Sequence, residues 1–162
     1  MMKQIVFLAF LLFISCGQNN KKSEASVNSA STQDINNEDE ARISSALKFI
    51  NTYVTSSADR DEWVKSSDMV TESFKVEYQR IIDEAKAKDP ELGLGFDPIL
   101  NAQDYPDQGF ELESLGDEDN YIFLKGKDVE QFKVIVKVVK KDDKWLVDGS
   151  GIINIPESLT KK

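Results

Sequence analysis

The sequence predicts an α+β domain, with helices ahead of an antiparallel sheet. Three observations predict it. Apolar residues recur at helical spacing between Ala41 and Lys88, and at strand spacing between Phe110 and Ile155. The segment between them, Glu91 to Gly109, is broken by Gly93, Gly95, Pro98, Pro106 and Gly109. A period of 3.6 followed by a period of 2 puts helices and strands in separate parts of the chain.

The first helix is expected near residues 40–56. Ile43, Ala46, Leu47, Ile50, Tyr53 and Val54 form its apolar stripe, with Lys48, Asn51 and Thr52 opposite. Ser56 to Arg60 interrupts the pattern, and Trp63 and Val64 read as a short turn. A second helix is expected near 68–88, with Val70, Phe74, Tyr78, Ile81, Ile82 and Ala85 on one face. Lys86 and Lys88 complement the dipole at its C-terminus, and Pro90 stops it.

The strands follow. Phe110, Leu112 and Ser114 alternate with Glu111 and Glu113. Asp117 to Asn120 is turn-forming, and Tyr121 to Leu124 is a short apolar strand. Gln131 to Lys140 carries the strongest strand pattern. Phe132, Val134, Val136 and Val138 share the face the helices are expected to cover. Lys141-Asp142-Asp143-Lys144 is a hairpin turn. Trp145 to Asp148 opens the last strand, which Gly149-Ser150-Gly151 is expected to bulge before it resumes at Ile152 to Ile155.

Residues 1–15 read as a secretory signal: Lys3, the apolar run Ile5 to Ile14, then Ser15 before Cys16. The run is shorter than the roughly 20 residues a spanning helix needs. Phe13-Ile14-Ser15-Cys16 resembles the lipobox of bacterial lipoproteins, with Phe13 where Leu is usual. The resemblance implies cleavage before Cys16 and lipidation of its thiol, so the covalent lipid would supply the membrane contact. Residues 16–40 then form a polar tether, too poor in large apolar side chains to offset chain entropy. Residues 41–158 form the single folded domain.

Composition narrows the function. The chain has 162 residues and a net charge of −9, and loss of Lys3 with the signal takes this to −10. An acidic chain repels phosphate backbones, so nucleic acid is not an expected partner. There is no His, and Cys16 is the single cysteine. The commonest general base, the commonest metal ligand, a thiol nucleophile and a disulfide are therefore all missing from the folded part. Acid–base chemistry would fall to carboxylates, Lys or Tyr.

The residues best placed for a site are Asp97, Gln103, Asp104 and Tyr105, in the Gly- and Pro-broken connection. They could line a ligand site, or a carboxylate pair with a phenol could do acid–base work. Turn chemistry is the plainer reading, with Asp97 before Pro98 and Asp104 bonding its own backbone. Asp117-Glu118-Asp119-Asn120 lacks the glycine and distal glutamate of a calcium loop. Gly149-Ser150-Gly151 is not a nucleophile elbow, which needs a second glycine spacing and a histidine. Neither a metal nor a cofactor is expected.

Asp97-Pro98-Ile99-Leu100-Asn101-Ala102-Gln103-Asp104-Tyr105-Pro106 and Lys144-Trp145-Leu146-Val147-Asp148-Gly149, with the helix-helix-meander order, resemble a family of small bacterial lipoproteins of unknown function. That family is similar to the cystatin-like, nuclear-transport-factor-2-like cone. The resemblance implies two N-terminal helices packed on a curved antiparallel sheet over roughly residues 41–155, often with a pocket between the layers. It implies no activity, because this fold hosts enzymes, binders and interaction modules. The expected protein is a monomeric, non-enzymatic ligand- or protein-binding lipoprotein. It would be tethered through Cys16 in the bacterial envelope, at the outer membrane, facing the periplasm or the surface. The alternatives are an envelope inhibitor or immunity protein, whose acidic surface would suit a basic partner, and a carboxylate-dependent enzyme.

Overall fold

The acidic run Glu38-Asp39-Glu40 favours the positive end of a helix dipole, and a helix begins there. In a computed structural model describing residues 37–116 and 120–160, α1 spans Asn37–Thr55, so it starts inside the stretch expected to be tether. The expected signal, Cys16 and the tether up to residue 36 lie outside the described residues.

The expected turn at Trp63 and Val64 is a seven-residue helix, α2 (Arg60–Ser66). The Asp59 carboxylate caps it by accepting the Asp61 and Glu62 amides at 3.0 and 3.2 Å. The next helix, α3 (Glu72–Lys88), begins after Thr71, whose Oγ1 accepts the Phe74 amide at 3.1 Å. Residues 68–71, expected in that helix, form a bend and an isolated bridge before this cap. Val70 forms a bridge with Val147, and the Thr71 amide donates to the Val147 carbonyl at 2.9 Å.

Four antiparallel strands follow in consecutive order: β1 (Phe110–Leu115), β2 (Tyr121–Gly126), β3 (Lys133–Lys141) and β4 (Lys144–Ser150). The Asp142-Asp143 turn holds φ of 48° and 62°, the left-handed pair whose twist matches the strands it joins. In β3, Val134, Val136 and Val138 are buried and alternate with Ile135, Lys137 and Val139. Their neighbours on that face are Leu124, Ile122 and Val147. The helices cover this face, as the alternation predicts. Phe49 of α1 sits at the centre, 5.7 Å edge-on from Phe74 of α3 and 6.3 Å from Tyr53. Complete burial of one such side chain stabilises the fold by roughly 1.5–3 kcal/mol.

The end of the sheet departs from expectation. The irregularity in β4 falls between the pairs Lys137–Gly149 and Val138–Val147, which leaves Asp148 without a partner in the ladder. Residues 152–155 do not resume the strand. Gly151, at φ 60°, turns the chain so tightly that a Cβ would collide with the Pro98 and Ile99 carbonyls. Ser150 and Ile153 then bond each other, and the chain reaches a last helical turn, α4 (Glu157–Thr160).

Both sheet edges are occupied. Met69 and Thr71 bond the outer side of β4 at Val147. On β1, the Asn51 side chain accepts the Phe110 amide at 2.8 Å and donates to the Phe110 carbonyl at 3.1 Å. Gly109, at φ 76°, leaves room for this contact; a Cβ there would strike the Asn51 amide oxygen.

Candidate functional site

The connection that carries the sequence-predicted residues forms a plug at one end of the sheet. Asp97 and Ala102 close it with a backbone bridge. Asp97 Oδ1 accepts the Ile99 and Leu100 amides at 2.9 and 3.2 Å, the self-bonding that Asp before a turn favours. This drives Ile99 and Leu100 into the core. The other oxygen, Oδ2, accepts the Tyr53 phenol at 2.6 Å. Burial, then the Asp97 charge and hydrogen bond, push the Tyr53 phenol far above its ordinary range. Arg60 stacks 4.3 Å from the Tyr53 ring and donates to the Tyr53 carbonyl at 2.5 Å. On the far side of the plug, Ser150 Oγ donates to the Ile99 carbonyl at 2.8 Å.

The other predicted residues do not converge with Asp97. Gln103 is exposed and donates to the Gly95 carbonyl at 3.1 Å. Asp104 is exposed. Tyr105 is 41% exposed, with the Arg60 guanidinium 5.8 Å above its ring. Both Asp97 oxygens are taken by the loop and by Tyr53, so no carboxylate pair faces a common substrate. Among the described residues no group of three or more acidic or thiol ligands could hold a metal ion. None of the described helices is long and apolar enough to cross a membrane.

A different site lies on the sheet face turned away from the helices. Period 2 puts Tyr121, Phe123 and Lys125 of β2 there, with Lys137, Ile135 and Lys133 of β3 as their register partners. The C-terminal turn lays Leu159 against this face. Phe123 and Leu159 border two clefts, one of about 460 Å³ and one of about 340 Å³. The larger is lined by Leu100 and Ala102 of the plug, Phe132 and Ile135 of the sheet region, and Leu159. Asn101, Gln131 and Thr160 supply neutral polar groups, and Lys133 is the one charged lining residue among the described residues.

The lysines of this face are held by carboxylates. Lys133 pairs with Glu113, and Lys125 lies 3.3 Å from Glu111. Lys137 donates to Asp148 at 2.8 Å, and Thr71 Oγ1 donates to the same carboxylate at 2.7 Å. Burial pushes the Asp148 carboxyl up, but these two hydrogen bonds and the Lys137 charge outweigh it and hold the group below its ordinary value.

Sequence reasoning missed Tyr53, Arg60 and the whole back face. One signal for the groove was present: Ile135 and Val139 stand between lysines on the strand face that reads as solvated. The chain matches no family model, no curated protein and no solved structure.

Proposed function

We propose that this chain is a lipid-anchored protein of the bacterial cell envelope whose folded domain is a non-enzymatic binding module, with the back-face groove as its binding site. The groove is the observation that carries the reading. Its volume of about 460 Å³ falls within the roughly 300–1,000 Å³ of small-molecule sites, which are mostly apolar with a few placed polar groups. Non-enzymatic use is supported by the spent carboxylate of Asp97 and the exposed side chains of Asp104 and Tyr105. The anchor is supported by Lys3, the apolar run Ile5 to Ile14 and Ser15-Cys16.

The cone-like family resemblance is kept as part of this proposal, supported by helices preceding a four-stranded meander. The interior between helices and sheet, where such folds often hold a pocket, is packed here by Phe49, Tyr53, Phe74, Ile122, Leu124 and Val136. On this reading the ligand site has moved to the opposite face.

Two measurements test the proposal. Cys16→Ala is expected to leave the detergent phase or stay uncleaved; unchanged partitioning with normal cleavage ends the lipoprotein reading. Native mass spectrometry of the protein taken from its own envelope is expected to show a bound small molecule that Leu159→Arg displaces. A mass identical in both forms ends the groove reading.

A further inference from the structure

We infer that the groove takes an elongated apolar molecule ending in one anionic group, a free acyl carboxylate being the simplest member of that class. The inference rests on the binding-module reading and adds the chemistry of the ligand. Phe123, Phe132, Ile135 and Leu159 offer an apolar surface. Among the described residues Lys133 is the single charged residue of the lining, so an ionic end would sit there with the apolar remainder of the ligand beyond it.

The Lys133 ammonium is the group an anionic end would meet. Lys125 is its direct register partner across β2 and β3, so two ammonium groups share one row of the face. Like charges placed directly opposite destabilise a sheet. Three glutamates offset the two lysines: Glu113 pairs with Lys133, and Glu111 and Glu130 lie 3.3 and 3.9 Å from Lys125. An ammonium has three donors, and the bond to Glu113 uses one of them. A carboxylate at the end of the groove would engage a remaining donor in a charge-assisted hydrogen bond. A cationic end could accept nothing from that ammonium, and a neutral end would form a weaker bond with it. The net charge of −9 gives no long-range attraction for such a ligand, so the discrimination is local to this row.

The test is photo-crosslinking of the full chain, held in amphipol, with a fatty acid bearing a diazirine in its chain. Adducts are expected on the peptides containing Phe123, Ile135 and Leu159. Dodecanoate is expected to compete about fivefold better than dodecan-1-ol, the scale of a half-exposed ion pair. Lys133→Gln should abolish that preference and Lys133→Arg should keep it. Glu113→Gln should widen it, because Lys133 loses its internal partner. An equal effect of acid and alcohol in the wild type, or a preference that survives Lys133→Gln, overturns the anionic end and leaves the groove standing. Competition by phosphatidylglycerol vesicles but not by dodecanoate overturns it too, since the occupant would be membrane lipid. Adducts that avoid the groove peptides, or that are indifferent to Leu159→Arg, overturn the binding-module reading itself.

Discussion

The two faces of the sheet are made by the same strands and have opposite physical characters. Along β3, Val134, Val136 and Val138 face α1 and α3, and every one is buried against aromatic or aliphatic side chains. Lys133, Ile135 and Lys137 alternate with them and meet only a short helical turn and a row of glutamates and aspartate. The helix-facing valines are buried, whereas Phe123 and Leu159 on the other face border open clefts. On the proposed binding-module reading, the difference separates stability from recognition: substitutions on the helix side are expected to act on folding, and those on the back face on binding.

The largest expected effect is at the centre of the packed face. Phe49→Ala should destabilise the domain by about 3–5 kcal/mol, because the rings of Tyr53, Trp63 and Phe74 pack against it and cannot all collapse into the vacancy. Urea denaturation with an unchanged slope would measure it. A loss below about 1 kcal/mol would erase the contrast between the faces.

Val134→Ala and Val136→Ala come next, at about 1–3 kcal/mol each, from lost methyl groups plus the space left behind. A loss near zero at both, read from the same denaturation curves, would mean that the strand presents its other face to the helices.

Tyr53→Phe should cost about 1.5 kcal/mol, since Asp97 loses one of three hydrogen-bond donors but is only half-buried and can take up water. Its pH dependence sharpens the point. The folded-state phenol titrates above the unfolded value of about 10. The protonated phenol therefore stabilises the fold fully below that pH, and the contribution declines as pH rises above it. Tyr78, also raised by burial and by its bond to Asp61, adds to the same alkaline loss. Tyr53→Phe should flatten the fall in stability above about pH 10, and an unaltered slope would remove the phenol–carboxylate bond from the account.

The smallest effect is expected on the back face. Leu159→Ala should change stability by no more than about 0.5 kcal/mol, because the side chain is 39% exposed. A loss of several times that would make α4 part of the core rather than the rim of a site.

Much of the fold was legible because it depends on local period. The β3 alternation, the Asp142-Asp143 hairpin and the position of α3 follow from residues within one turn or one strand of each other. What was not legible depends on distance along the chain or on very short elements. α2 has only Trp63 and Val64 to mark an apolar side, too few to show a helical repeat, although Asp59 and Glu62 do carry a capping signal. Gly151 reads as a bulge by composition, and only the nearness of the Pro98 carbonyl shows that it turns the chain away. At the plug, the self-bonding of Asp97 was readable from Asp before Pro. Its Tyr53 partner, 44 residues earlier, was not. The groove combines Leu100, Phe123, Ile135 and Leu159, which no single repeat relates.

The paired hydrogen bonds from Asn51 to Phe110 have a consequence beyond holding β1 in place. A side-chain amide carries the same donor and acceptor as a peptide group, so Asn51 impersonates one residue of a fifth strand. With that slot filled, and with Glu111 and Glu113 lying along the same strand, a neighbouring copy has no clean row of backbone groups to add to. If the proposed lipid anchor gathers these molecules on a two-dimensional surface, they would meet one another far more often than in solution. In such a crowd, one asparagine would keep the sheets from growing into fibres.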